Sequence, residues 1–135
     1  MTPPSSSSPW ASVIIPIKDE RENLSPLLAG LFKVMDSHES SRSRPYEILF
    51  VDDGSSDGSS QELDRLAAQH PQVKVFHFDR NYGKTCALDA GFRQSSGEII
   101  IQIDGDLQQD SEDILKLLPL TSSYDLVCGW RQQRQ

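Results

Sequence analysis

The sequence predicts an α/β fold, in which a mainly parallel sheet carries helices on both faces. Apolar, β-branched segments alternate along the chain with segments whose apolar residues recur at helical spacing. This alternation is typical of βαβ units, because consecutive parallel strands need a crossover, usually a helix, between them. A length of 135 residues suits one domain, which we expect at residues 10–135 after a proline- and serine-rich, disordered leader at 1–9.

Each element is predicted from its local pattern. The strands are short apolar runs that end at polar, acidic or glycine-containing loops, and they are expected at residues 10–17, 46–51, 73–78, 99–103 and 124–128. The isoleucine-rich run at 99–103 is expected to be a buried strand. The first helix is expected to begin near Leu24 and the second to end near His70, and two more helices are expected at 85–94 and 112–118.

Composition and charge exclude some classes of function. Lysine and arginine number 13 against 20 aspartates and glutamates, a net charge of −7 that argues against a nucleic-acid-binding protein. No apolar run approaches transmembrane length and no signal peptide precedes the first strand, so a cytoplasmic location is expected. Cys86 and Cys128 form no known motif and are expected to be free thiols, although a disulfide is left open.

Polar loops follow the first four predicted strands, at residues 16–22, 52–58, 79–84 and 104–110. In a parallel sheet these loops share the carboxyl edge, where ligands bind. Asp104 and Asp106 would offer hard oxygen ligands to Mg²⁺ or Mn²⁺, while a solvated acidic turn is the plainer alternative. With Glu20, Asp53 and Lys84 they could form a site for a nucleoside diphosphate.

Other phosphate- and metal-binding motifs do not fit. Gly83-Lys84-Thr85 ends like a phosphate-binding loop, but that motif needs a glycine where Phe78 stands. No strand is followed by the glycine pattern of dinucleotide-binding folds. The three histidines, among them His77, have no metal-ligand spacing and are predicted to be structural or solvated.

Four segments resemble the successive motifs of inverting glycosyltransferases of family two. They are SVIIPIKDERENL, ILFVDDGSSDGS, RNYGKTCALDAGF and IIQIDGDLQQDSEDI. The likeness is strongest to the branch of dolichol-phosphate mannosyltransferase and the bacterial polyprenyl-phosphate glycosyltransferases. It implies a GT-A fold, which is Rossmann-like, and transfer of a sugar from a nucleotide-sugar donor to a lipid-phosphate acceptor at the cytosolic face of a membrane.

The resemblance assigns one set of residues to the donor's nucleoside. Pro16, Glu20 and Asp53 match positions that hold it. The family usually has an aromatic residue and an asparagine before the glutamate, where this chain has Lys18 and Asp19. Lys18 is included in the predicted donor-binding set, and this departure leaves UDP and GDP open as the nucleotide.

A second set is assigned to the diphosphate. Lys84 matches a position near the base or the diphosphate. Asp104 and Asp106, with Gly105 between them, match the D-x-D pair that binds the diphosphate through Mg²⁺ or Mn²⁺. We expect this pair to act in catalysis as well, since a bound cation stabilises the negative charge of the leaving diphosphate.

The remaining implied features lie in the last third of the chain. Gln108 matches the glutamine of D-x-D-L-Q in the lipid-phosphate branch. Arg131, predicted to be catalytic, and less surely Arg134, match arginines that meet phosphates. The chain stops at Gln135, whereas the family continues for on the order of another hundred residues. The missing part would carry the acceptor side and the contact with the membrane surface.

Three questions stay open from the sequence. A fragment that binds a nucleotide without transferring anything is one alternative function. A nucleotidyltransferase is another, although its glycine-rich loop after the first strand is lacking here. A homo-oligomer is also left open.

Overall fold

The computed structural model describes residues 8–106 and 111–122. Within them the strands and helices alternate as predicted, with a short 3-10 helix at Arg21–Asn23 before the first α-helix. The strands are β1 (Ala11–Ile17), β2 (Glu47–Asp52), β3 (Val73–His77) and β4 (Ile99–Gln102). The helices are α1 (Leu24–Ser37), α2 (Ser59–Gln69), α3 (Lys84–Gln94) and α4 (Asp113–Leu117). The fifth predicted strand, 124–128, lies outside the described residues.

The described strands form one parallel sheet in the order β3-β2-β1-β4. The chain moves from β1 outward through β2 to β3, then crosses back to place β4 on the other side of β1. The direction in which the chain adds strands therefore changes between β1 and β4. In open α/β sheets this change of direction opens a crevice at the carboxyl ends of the two strands, where ligands bind.

Helices cover both faces of the sheet, which confirms the predicted fold class. On one face, alternate residues of β1 such as Val13 and Ile15 join the apolar residues of α1 and α2 in the main core. On the other face, Gly91 of α3 lies so close to Ile14 that a β-carbon would collide with its side chain. The side chain of Val51 also borders Gly91, so α3 packs directly on β1 and β2.

The prediction that the isoleucine-rich run is a buried strand is wrong for β4. Ile99 and Ile101 are only partly buried, and they pack against the core. Ile100, on the opposite face, is 47% exposed. The physical reason is the position of β4, which pairs with β1 alone among the described strands. Its last apolar neighbour, Ile103, is buried where the chain turns toward the carboxyl edge.

Two residues of the predicted leader, Ser8 and Pro9, contact the domain. Arg44 donates from its guanidinium to the carbonyl oxygens of Ser8 (3.2 Å) and Pro9 (3.1 Å). Trp10 is buried, and its indole N–H donates to Ser41 Oγ at 3.1 Å. Ser8 and Pro9 therefore pack on the domain, while residues 1–7 lie outside the described part and the predicted boundary stays a prediction.

Two further predictions concern the cysteines and membrane-spanning helices. Cys86 is an exposed free thiol, as expected, and Cys128 lies outside the described residues. Among the helices at 8–106 and 111–122, none is long and apolar enough to cross a membrane.

Candidate functional site

A cavity of about 460 Å³ opens at the carboxyl edge of the sheet. It lies at the crevice between the ends of β1 and β4, and the loops after all four described strands contribute to its wall. Its lining residues are Pro16, Ile17, Lys18, Glu20, Asp53, Asn81, Gly83, Lys84, Asp104, Gly105 and Asp106.

The cavity brings together eight of the ten residues predicted for the site, although they come from four separate loops. They are Pro16, Lys18, Glu20, Asp53, Lys84, Asp104, Gly105 and Asp106. The other two, Gln108 and Arg131, lie outside the described residues, as does Arg134. The individual roles of the eight stay predictions.

The sequence pattern does not assign three of the lining residues to the site: Ile17, which ends β1, and Asn81 and Gly83. Asn81 and Gly83 belong to the polar loop at 79–84, of which the sequence pattern assigns only Lys84 to the site. An asparagine two residues before a glycine is a common loop pattern, so the residue types alone carried no stronger signal.

The first and second loops are hydrogen-bonded to each other. Ser55 Oγ accepts from the backbone N–H of Asp19 at 2.9 Å, and Asp19 Oδ1 accepts from the N–H of Ser56 at 2.8 Å. Lys18 Nζ donates to the carbonyl oxygen of Gly54 at 2.8 Å. Asp19 has a φ of 55°, a left-handed conformation that aspartate tolerates better than most residues. The Lys18-Asp19 pair, the departure from the family pattern, therefore serves to join these loops.

The same two loops meet again at the start of α2. Ser59 Oγ accepts from the N–H of Glu20 at 3.0 Å, and Asp57 Oδ2 accepts from the N–H of Arg21 at 3.2 Å. Asp57 Oδ1 also accepts from the N–H of Ser59 at 2.9 Å, which satisfies a donor in the first turn of α2. Glu20 Oε2 accepts from the amide of Asn23 at 2.5 Å, so its carboxylate is held at the cavity wall.

Asp53 connects the second loop to the third. Asp53 is 4% exposed, and its carboxylate accepts from the backbone N–H of Tyr82 at 2.7 Å and of Gly83 at 3.0 Å. Gly54, with a φ of 71°, lets the chains approach closely, since a β-carbon there would lie 2.5 Å from the carbonyl carbon of Arg80. Asp53 thus shapes the cavity by holding the loop that carries Lys84.

The third and fourth loops are joined by an ion pair. Lys84 Nζ lies 2.7 Å from Asp104 Oδ1, with exposed side-chain fractions of 56% and 28%. Gly105 is buried against β1, and a β-carbon there would collide with the side chain of Ile17. That close contact positions Asp104 and Asp106 on either side of it, at the cavity wall.

A second polar cluster lies at the carboxyl ends of β2 and β3. His77 contacts Asp52 Oδ2 through Nδ1 at 2.8 Å and Asp64 Oδ1 through Nε2 at 2.7 Å. Burial lowers the pKa of His77, but the hydrogen bonds to Asp64 and Asp52 outweigh it and raise the pKa above its usual value. Burial raises the pKa of Asp52, but hydrogen bonds from Ser60, Ser55 and His77 hold it below its usual value. His77 is thus a structural histidine, one of the two predicted alternatives.

His77 should make the stability of the domain depend on pH. The pKa of His77 is higher in the folded protein than in the unfolded chain. The stabilisation of the domain by His77 is therefore fully present below the pKa of the unfolded chain, about 6.5, and is lost as the pH rises through the pKa of the folded protein. We expect the difference in unfolding free energy between wild type and His77→Gln to fall by on the order of 1 kcal/mol between pH 6 and pH 9. Urea denaturation across that range measures it, with His70→Gln as the control, since His70 packs against Phe32 instead. A difference that stays constant with pH would contradict the assignment.

The family follows from sequence comparison. The model of glycosyl transferase family 2 matches residues 12–135. The chain belongs to glycosyl transferase family 2. This match favours a glycosyltransferase over the nucleotidyltransferase alternative, and it covers every loop that lines the cavity.

The curated relatives of this family 2 chain are polyprenyl-phosphate sugar transferases by name. The undecaprenyl-phosphate 4-deoxy-4-formamido-L-arabinose transferase of Edwardsiella ictaluri is 41% identical over 129 residues, which is 93% of this chain and 38% of that protein. Its namesake from Proteus mirabilis is 38% identical over 126 residues, 92% of this chain and 37% of that protein. The chain therefore spans less than two fifths of the length of these relatives.

Solved structures of GT-A glycosyltransferases share the fold. The mannosyltransferase PcManGT from Pyrobaculum calidifontis, in complex with GDP-Man and Mn²⁺, matches with a TM-score of 0.65 and 26% identity, over 79% of this chain and 30% of that one. S. aureus TarS 1–349 in complex with UDP-GlcNAc matches with a TM-score of 0.66 and 22% identity, over 85% of this chain and 32% of that one. The latter likeness concerns the fold alone.

The carboxylate oxygens of this family 2 site are suitable ligands for a magnesium or manganese ion. Among residues 8–106 and 111–122, no three or more histidine, cysteine, aspartate or glutamate side chains are grouped to hold a metal. Mg²⁺ in phosphate-transfer sites is usually held by only one or two carboxylates, together with the phosphates of the substrate and water. Asp104 and Asp106, which both line the cavity, supply two such carboxylates.

Proposed function

We propose that this chain forms the donor-binding part of an inverting glycosyltransferase that transfers a sugar from a UDP- or GDP-linked donor to a polyprenyl phosphate. The observation that carries the proposal is the cavity, in which residues from four loops offer carboxylates together with a lysine–aspartate pair. The names of the curated relatives support the acceptor, because both are undecaprenyl-phosphate transferases.

The nucleoside would bind near Glu20 and Asp53. A carboxylate oxygen can accept from the N–H groups of a base, and each oxygen of Asp53 has a further lone pair beyond the one that the backbone uses. Pro16 and the aliphatic part of Lys18 supply apolar surface next to these acceptors. Apolar surface next to hydrogen-bonding groups is typical of small-molecule sites.

The diphosphate would bind at the other end, near Lys84 and the first turn of α3. That turn carries no acidic residue, so the amino end of the helix presents its partial positive charge to an anion. Asp104 and Asp106 would hold the divalent cation, whose bound form supplies charge stabilisation to the leaving diphosphate. Lys84 adds a further positive charge there.

The chemistry requires little proton transfer. A phosphate oxygen of the acceptor, already ionised at pH 7, attacks the anomeric carbon, and the bond from that carbon to the diphosphate oxygen breaks. A single displacement inverts the configuration at this carbon. Because the nucleophile is already an anion, the cavity needs no general base, and its carboxylates are left to bind the donor and the cation.

The test is a panel of nucleotides against the purified chain. We expect UDP or GDP, with Mn²⁺, to raise the midpoint temperature of thermal unfolding. At a nucleotide concentration a hundred times the dissociation constant, the unfolding free energy should rise by about 3 kcal/mol. AMP and CMP at the same concentration serve as controls for non-specific binding.

Transfer itself is tested on the same chain. Incubation with a nucleotide sugar and undecaprenyl phosphate should yield the glycosyl phospholipid if the chain completes the reaction. Binding without transfer would favour the alternative of a nucleotide-binding fragment. A folded chain that no uridine or guanosine nucleotide stabilises would refute the donor site.

A further inference from the structure

We propose that Lys84 changes partner between Asp104 and the donor's diphosphate, so that it opposes binding of a divalent cation until the nucleotide arrives. This inference rests on the proposed donor site and concerns the order and coupling of binding within it. It assigns Lys84 a role toward the cation site as well as toward the nucleotide.

The geometry places Lys84 in competition with a cation. Its Nζ lies 2.7 Å from Oδ1 of Asp104, an oxygen that a Mg²⁺ or Mn²⁺ ion would need. An ammonium group and a divalent cation at the same oxygen repel each other strongly at such short range. A cation that binds alone must therefore first displace Lys84.

Lys84 can leave Asp104 easily. Its side chain is 56% exposed, and an exposed ion pair changes an equilibrium constant by no more than about fivefold. The four-carbon stem of lysine is flexible, so the ammonium can turn toward the cavity without a movement of the backbone. The pair thus behaves as a weak, reversible contact.

The location of Lys84 at the start of a helix favours a second anionic partner. It is the first residue of α3, where the helix dipole is unfavourable to a positive charge unless an anion is close. Asp104 is that anion in the structure. A diphosphate at the same helix end would take this place and release Asp104 for the cation.

Coupling follows by linkage. If the nucleotide removes Lys84 from Asp104, it strengthens cation binding, and the cation strengthens nucleotide binding by the same factor. Part of the coupling comes from the contact between cation and diphosphate, which does not depend on Lys84. The part that depends on Lys84 is isolated by substitution.

The experiment measures Mn²⁺ binding to the purified full chain by electron paramagnetic resonance, with and without UDP or GDP. In Lys84→Gln we expect Mn²⁺ alone to bind about fivefold more tightly than in wild type, and the nucleotide alone to bind more weakly. The factor by which nucleotide improves Mn²⁺ affinity should therefore fall by about fivefold or more. Lys84→Arg, which keeps the charge, should retain most of the coupling.

Lys18→Gln is the matched control. It removes one positive charge from the same cavity, but Lys18 donates to Gly54 and the pair of Lys84 with Asp104 stays in place. We expect a clearly smaller change in Mn²⁺ affinity than in Lys84→Gln. Equal changes in the two variants would overturn the proposal, because they would show a general effect of charge.

The outcomes separate this inference from the proposed function. If the nucleotide binds with Mn²⁺ to wild type, but Mn²⁺ alone binds Lys84→Gln no more tightly, the partner change is refuted and the donor site stands. If neither UDP nor GDP binds wild type in the presence of Mn²⁺, the donor site itself is refuted. Tighter Mn²⁺ binding together with weaker nucleotide binding in Lys84→Gln supports the proposal.

Discussion

Replacement of Asp104 and Asp106 together by asparagine is expected to remove the Mn²⁺-dependent part of nucleotide binding. It should also lower any glycosyl transfer by roughly a hundredfold or more, since a bound metal contributes several kcal/mol to the stabilisation of a leaving phosphate. Asparagine keeps the size of each side chain but withdraws both negative charges from the cavity wall. Isothermal titration with UDP and GDP, with and without Mn²⁺, measures the effect.

The control for this double variant is Asp89→Asn. Asp89 lies on the exposed side of α3, where it pairs with Arg93 at 2.9 Å, outside the cavity. Its replacement removes a carboxylate of the same kind and should leave the response to Mn²⁺ unchanged. Metal-dependent binding that persists in the double variant would show that Asp104 and Asp106 do not hold the cation.

Asp53→Ala is expected to lower the unfolding free energy by about 2–4 kcal/mol and to abolish nucleotide binding. The substitution removes the carboxylate that accepts from the backbone N–H groups of Tyr82 and Gly83, and a hydrogen bond to a charged group contributes about 1.5–3 kcal/mol. It also frees the loop that positions Lys84. Urea denaturation and nucleotide titration measure the two effects.

Two further variants serve as comparisons for Asp53→Ala. Asp79→Ala removes an exposed aspartate from the same stretch of chain, paired with Arg80 at only 3.4 Å, and should change stability by less than about 0.5 kcal/mol. Asp53→Asn retains one oxygen acceptor and should fall between wild type and Asp53→Ala. If Asp53→Ala unfolds at the same denaturant concentration as wild type, the two backbone contacts do not hold the loop.

The strands could be predicted within one or two residues. β1 was expected at 10–17 and is Ala11–Ile17, and β2 was expected at 46–51 and is Glu47–Asp52. Their runs of β-branched and aromatic residues are bounded by polar turns, so the pattern is local and visible in the sequence. The exposure of Ile100 could not be predicted in the same way, because it depends on which strands lie beside β4.

The candidate site was predictable as a set of loops but not as a set of contacts. Parallel strands necessarily bring their carboxyl ends to one edge, so Glu20, Asp53, Lys84 and the two aspartates of the fourth loop were expected together. Asp53 was predicted as a ligand of the nucleoside, and its bonds to Tyr82 and Gly83 were not foreseen. Such bonds join loops almost thirty residues apart, and no spacing rule describes them.

The sequence by itself determined the alternation of strands and helices and the polar residues that close each strand. These features follow from local side-chain chemistry: β-branched residues favour strands, and glycine and aspartate favour turns. The tertiary structure decided that β4 lies beside β1, that Lys84 meets Asp104, and that His77 joins Asp52 to Asp64. Backbone hydrogen bonds between strands are the same for any pair, so the neighbours are selected only when side chains from distant segments pack together.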